Sequence, residues 1–257
     1  MNELVKKWYD KNNDLWGLPQ NYKGINLHPL KLKDAKYYNL FYRLFAYPKN
    51  SIKDKNVIKM SYLKFIVFTN FSDKILEDGL LDFLKHITKT QNVRIETKLI
   101  NPSLGFEISN FLIRIVVDDI EISEYEFDEI REIVLEQNGL SIEYIEQYHP
   151  DLEAKLISLG SDLDFEDEVF TFAMLTNKSL DELKDYTLYQ MQNLMERIST
   201  MKNFDMCKPL EASGSISLKS GEIKPYFYHY HRKGRYDSIL ISKDEFVEKN
   251  KDLFGNS

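Results

Sequence analysis

Two helix-start signals set close together constrain this chain more than any other feature. Ser179-Leu180-Asp181-Glu182 and Thr187-Leu188-Tyr189-Gln190 each place a hydroxyl at a cap position and a Glu or Gln three residues on. The hydroxyl accepts an N–H that the first helical turn leaves unpaired, and the Glu or Gln reaches back to the cap residue's own N–H. A helix begun at Ser179 must therefore stop before Thr187. Tyr186 and Met191 flank the second cap as a hydrophobic staple. Beyond it Leu188, Met191, Leu194, Met195, Ile198 and Met201 recur every three or four residues, one apolar stripe on a long helix. The stretch from Asp164 to Gly214 thus predicts a helix over 165–176, a short second helix and a long third. The stripe is expected to face a core, with Gln192, Asn193, Glu196 and Lys202 turned away from it. Arg197 follows Glu196 directly, so the two do not face each other. Arg197 is expected to bond a carboxylate or carbonyl elsewhere, with the 124–138 helix as the favoured site.

The rest of the chain divides by period. Residues 2–16 read as a short amphipathic helix anchored by Leu4, Val5, Trp8 and Trp16. Residues 17–31 read as an extended arm that buries Ile25, Leu27 and Leu30. A helix over 34–47 turns Tyr37, Tyr38, Phe41, Leu44 and Phe45 to one side, with Pro48 just past its end. Residues 57–68 fit either a helix or a buried strand, as short apolar runs do, with a single helix favoured by the 3.6 period of Ile58, Tyr62, Phe65 and Ile66, and residues 72–89 read as a helix carrying Leu80, Phe83, Leu84 and Ile87. Val93, Ile95, Thr97 and Leu99 alternate with polar residues, the mark of a strand. A turn at Asn101-Pro102-Ser103, strands near 106–108, 112–117 and 120–122, and a tight turn at Asp118-Asp119 complete a small antiparallel sheet. Ser123-Glu124-Tyr125-Glu126 is a third capping box. It opens a helix with Phe127, Ile130, Ile133, Val134 and Gln137 in register, closed by Asn138-Gly139, which tolerate left-handed geometry. A helix near 150–159, β-like segments over 215–241 and a terminal helix over 243–254 follow. The expected fold class is α+β, helix-dominant, with a small antiparallel sheet packed beside a C-terminal helical bundle. The expected units are 1–123, helical with the sheet, and 124–257, a bundle with a β-hairpin and a terminal helix.

The net charge of -7 and pI near 5.4 argue against broad binding to nucleic acid or anionic membrane, which needs clustered cations. The single cysteine, Cys207, cannot form an internal disulfide and reads as a small buried side chain rather than a nucleophile. No apolar run approaches the ~18 residues of a membrane span, and residues 1–16 lack the apolar core of a signal peptide. No P-loop, GxGxxG, HExxH or Ser-His-Asp grouping is legible, so no enzyme, no catalytic residue, no cofactor and no metal are expected. His229 and His231 have the spacing of paired zinc ligands, but no third ligand stands near them. Tyr228, His229, Tyr230 and Arg232 interleave aromatic rings with cations. That pattern could stack on single-stranded nucleic acid, but an edge hairpin making protein contacts is the better reading. The acidic run at Asp162, Asp164, Glu166, Asp167 and Glu168 lacks the glycine and distal glutamate of a calcium loop and suits a helix start. Asp181, Glu182 and Asp185 on the short helix exclude a phosphate-facing helix-turn-helix.

Four landmarks carry a resemblance. They are Ile25-Asn26-Leu27-His28-Pro29, Phe127-Asp128-Glu129-Ile130-Arg131 with Gln137-Asn138-Gly139, Leu194-Met195-Glu196-Arg197-Ile198, and Ala212-Ser213-Gly214. In this order, over roughly residues 25–222, the chain resembles tail assembly chaperone-like proteins encoded among the tail genes of phages and prophages of Gram-positive bacteria. From Lys224 onward it departs from the short ending usual there. The resemblance implies a tail-morphogenesis protein of the host bacterial cytoplasm that binds tail proteins, above all the tape measure and the tube, with oligomerisation left open. Its alternative is a permanent virion component, such as a connector or baseplate subunit. The residues expected to meet a partner are Met191, Met195, Arg197 and Met201 on the long helix, with Tyr228, His229, Tyr230 and Arg232 in the tail. Flexible thioethers let one surface fit several apolar partners.

Overall fold

The computed structural model of the chain describes residues 7–52, 54–70, 74–100, 110–141 and 164–213. Helix α1 (Lys11–Trp16) starts where the Asp10 carboxylate accepts the Asn12 N–H at 2.9 Å, and ends at Gly17, which is left-handed at φ 65. A Cβ on Gly17 would stand 3.0 Å from Thr187 Cγ2, so close approach and backbone angle both call for glycine. Trp16 is 71% exposed and does not anchor the helix. The reason is the cap at Asp10, which turns Asp14 inward instead. Asp14 accepts from Tyr9 Oη and, at 2.9 Å, from Gln20 Nε2, which satisfies its buried carboxylate.

The segment expected to be an extended arm folds back as a hairpin. Strands β1 (Gln20–Tyr22) and β2 (Ile25–Leu27) pair antiparallel around Lys23 (φ 50) and Gly24 (φ 93). Two positive φ values in a two-residue loop match the twist of the paired strands. Ile25, Leu27 and Leu30 are buried as expected. A 3₁₀ segment (Leu32–Tyr37) leads into α2 (Tyr38–Leu44), and Tyr37, Tyr38, Phe41, Leu44 and Phe45 all face the core.

The single helix expected over 57–68 is two. Helix α3 (Lys55–Lys59) stops at Met60, which is extended at ψ 153, and α4 (Tyr62–Asn70) starts afresh. Ser61 caps the new helix, its Oγ accepting the Lys64 N–H at 3.3 Å, and further support comes from outside the segment. Helix α6 (Glu124–Gln137) sets two carboxylates one turn apart against the N-terminus of α4. Asp128 accepts the Tyr62 N–H at 3.0 Å, while Glu124 accepts from Ser61 Oγ at 2.9 Å and pairs with Lys64 at 3.1 Å. Carboxylates there satisfy unpaired N–H groups and favour the positive end of the helix dipole. Tyr62, Phe65 and Ile66 are buried, and Ile58, on the detached α3, is exposed.

Helix α5 (Lys74–Thr88) buries Leu80, Phe83, Leu84 and Ile87. Strands β3 (Val93–Leu99), β4 (Phe111–Val117) and β5 (Ile120–Ser123) form an antiparallel sheet in that order. Val93 stands opposite Val117 and Leu99 opposite Phe111, and the tight turn before β5 puts Asp118 at φ 52. Ser123 ends β5 and caps α6 through the expected reciprocal box. Phe127, Ile130, Ile133 and Val134 then join the same buried cluster as Phe41, Phe45, Phe83 and Ile115. Residues on both sides of 123/124 therefore share one core.

Helices α7 (Phe165–Thr176), α8 (Leu180–Leu183) and α9 (Leu188–Ala212) close the described chain. Both capping boxes are present: Glu182 accepts the Ser179 N–H at 2.8 Å, and Gln190 accepts the Thr187 N–H at 2.9 Å. Phe172, Leu183, Leu188 and Met191 enter the common core. Residues 30–33 lie along 184–188 as a backbone seam. Leu32 N–H donates to Tyr186 O at 2.8 Å, Lys33 N–H to Lys184 O at 3.1 Å, and Leu188 N–H to Leu30 O at 3.2 Å. Lys33 adds an exposed ion pair to Asp185 at 2.6 Å. The fold is α+β with helix dominant and two small antiparallel sheets. Leu4 and Val5, the turn at 101–103, the strand near 106–108, the helix near 150–159, Asp162, and the expected β-like and helical segments after Ser213 lie outside the described residues.

Candidate partner-binding surface

Helix α9 runs for 25 residues, about 37 Å at 1.5 Å per residue. Its first two turns are held on three sides. Gln190 Nε2 donates to Leu15 O on α1 at 2.9 Å, Met191 is fully buried, and Phe172 of α7 packs edge-on to Tyr186 just before the cap. Met195 still packs against the core. From here the stripe loses its support: Leu194 is 40% exposed and Met201 is also exposed, and Met206, farther along the helix, reaches 62%. The expectation that the whole stripe faces a core thus holds only for its N-terminal part. α1 and α7 cover the start of α9, and the helix runs on past them through Pro209 to Ala212, longer than its apolar period suggests.

The opposite side is not purely solvent either. Gln192, Asn193 and Glu196 are half-buried and Lys202 is exposed. Asn193 Nδ2 donates to Tyr189 O at 2.7 Å, and Thr200 Oγ1 donates to Glu196 O at 2.8 Å. Arg197 is exposed on the same helix. Cys207 is half-buried rather than buried, its thiol 3.4 Å from Asn203 Oδ1, because it lies on this unsupported half. Of the residues expected to meet a partner, the structure places Met191 in the core, Met195 at its edge, and Arg197 and Met201 on the open surface. Tyr228, His229, Tyr230 and Arg232 lie outside the described residues.

Sequence reasoning missed a neighbouring surface. On α7, Phe170 is 48% and Met174 84% exposed, while Phe172 is fully buried. The signal was present in the spacing: Phe165, Val169, Phe172 and Ala173 fill one face, so Phe170 and Met174 must occupy another. Carboxylates open both α7, at Glu166, Asp167 and Glu168, and α8, at Asp181 and Glu182. Glu182 is held below the usual carboxylate range by the Ser179 backbone N–H and hydroxyl, and Asp185 by its bond to Lys33. Both therefore stay ionised near neutral pH.

The earlier landmarks tie the fold together. Leu30 N–H donates to Asn138 Oδ1 at 2.8 Å, and Gln137 Nε2 donates to His28 O at 3.4 Å, so the 25–29 and 137–139 segments meet. Arg131 is buried, donates from Nε to Phe45 O at 2.7 Å and lies 3.5 Å over the Tyr62 ring. The Leu194–Ile198 landmark stands on the half-open helix, which also ends in Ala212 of the fourth landmark.

Residues 158–231 match the family model of the YomV second domain. That family is phage-derived, named for YomV of a Bacillus prophage, and the match suggests a phage protein. No curated protein and no solved structure matches the chain. The matched stretch takes in α7, α8 and α9, and with them the exposed half of α9.

A groove of about 480 Å³ on the sheet is lined by Glu96, Thr97, Lys98, Leu112 and Arg114. Arg114 already pairs with Glu96 and Glu121 at 2.7 Å, and Arg94 with Glu96 at 2.9 Å. These groups answer each other rather than converging on a ligand. Among the described residues, no group of three or more His, Cys, Asp or Glu could hold a metal ion, and no helix is long and apolar enough to cross a membrane.

Proposed function

We propose that this chain is a non-enzymatic phage tail-morphogenesis protein that binds apolar helices of other tail proteins, above all the tape measure, during assembly. The observation that supports this is the distal half of α9. It is a helix with an apolar, methionine-bearing stripe left partly in water, inside the stretch that matches a phage-derived family. Long helices with an apolar face need that face covered until assembly, and a half-open helix offers a matching face in the helix-on-helix mode. Met201 and Met206 adapt to different side chains because their thioethers are flexible. The tail residues Tyr228, His229, Tyr230 and Arg232 belong to this proposal as a second contact.

The test is co-expression with the tape measure protein encoded by the same phage or prophage. The wild-type chain should co-purify with it and keep it soluble. Leu194→Ser/Met201→Ser should lose the complex while melting like wild type, since both positions are exposed. Mass spectrometry of purified virions separates the alternative. Stoichiometric presence in the particle would sink the chaperone reading and favour a permanent connector or baseplate subunit.

A further inference from the structure

Helix α7 carries a face that the proposed function does not use. Phe165, Val169, Phe172 and Ala173 pack into the body of the protein. Phe170 and Met174, four residues apart, stand one above the other on the exposed side and form a continuous ridge. Glu166 occupies the same row one turn before Phe170, and Asp167 lies three residues before it, both exposed. The carboxylates alone are explained by the helix dipole. The exposed phenylalanine and methionine are not, because α7 has another face with ample apolar residues to hold it in place.

We infer that the Phe170–Met174 ridge docks a basic amphipathic helix of a partner protein. A straight ridge of large side chains fits the groove between side-chain rows of a facing helix. Glu166 and Asp167 at its end select the sign of the partner: Lys or Arg flanking the partner's Leu or Ile residues would pair with them, and an acidic helix would be repelled. The same carboxylates disfavour an anionic lipid surface. The ridge is on α7 and uses none of the α9 side chains named above. Loss of tape-measure capture by the α9 variants therefore bears on the proposed function and not on this ridge.

The test uses the full chain and a fluorescein-labelled peptide of Leu and Lys, about 18 residues long, arranged to give one apolar helical face. Anisotropy at physiological salt should show saturable binding. Phe170→Ser/Met174→Ser should weaken it at least about tenfold, as should Glu166→Lys/Asp167→Lys. The equal charge change Asp78→Lys/Asp119→Lys, at exposed sites away from both α7 and α9, should leave it unchanged. A peptide with Glu in place of every Lys should not bind wild type. Absent binding, equal binding of the acidic peptide, or a serine variant that binds like wild type would each overturn the inference. Should the serine variant fail to fold, the charge-reversed variant decides. Weakened binding there, with the Asp78/Asp119 control unchanged, supports the ridge, and unchanged binding overturns it.

Discussion

Asp128 offers the sharpest test of how the helical core is held. Its carboxylate sits between α6 and α4, where burial pushes its pKa up to about 6 against the Tyr62 N–H, Arg131 and Lys49, which favour the charged form. An aspartate ordinarily titrates at 3.8, so the fold favours the protonated form by about 3 kcal/mol. Because the folded-state pKa is raised, the associated stability is present in full below about pH 4 and is lost as pH rises through about 6. Asp128→Asn keeps an acceptor oxygen for the Tyr62 N–H and removes the titration. Urea denaturation of both proteins between about pH 4 and pH 7.5 gives the difference in unfolding free energy. That difference should move in favour of Asp128→Asn by about 2.4 kcal/mol across the range. Asp14, whose pKa is also raised by burial, titrates in both proteins and cancels. A difference that stays flat, or moves towards wild type as pH rises, would refute the reasoning and mean that Arg131 and Lys49 hold the carboxylate charged in the fold.

Other substitutions test separate joints. Gly17→Ala meets both a left-handed backbone and Thr187 Cγ2 at 3.0 Å, and should cost about 1–2 kcal/mol by thermal melting. Arg131→Ala removes a buried donor to Phe45 O and the cation over Tyr62, and should cost about 2–4 kcal/mol in urea titrations. Met191→Ala should destabilise by about 2–5 kcal/mol, whereas Met206→Ala, on the open half of the same helix, should stay within about 0.5 kcal/mol. Equal effects at the two methionines would show that the distal half of α9 is supported after all.

Local chemistry alone determined where several helices begin and end. The boxes at Ser123, Ser179 and Thr187 form as spaced, because each partner lies within three residues of the group it satisfies. Apolar period likewise determined the inward faces of α2, α5 and α6, and alternation determined β3, since these patterns follow from the geometry of a single element. Tertiary structure decided the rest. Ser61 caps α4 locally, but Glu124 and Asp128 of α6, more than sixty residues away in sequence, hold that cap and take the Tyr62 N–H. The seam between 30–33 and 184–188 joins backbones whose pairing no side-chain pattern announces. The partner-binding surface shows the same limit. Spacing tells which side of α9 is apolar, but Met191 is buried and Met201 exposed only because α1 and α7 reach one and not the other. A stripe records a preference for cover, and only the packing of the other elements decides where the chain supplies that cover itself.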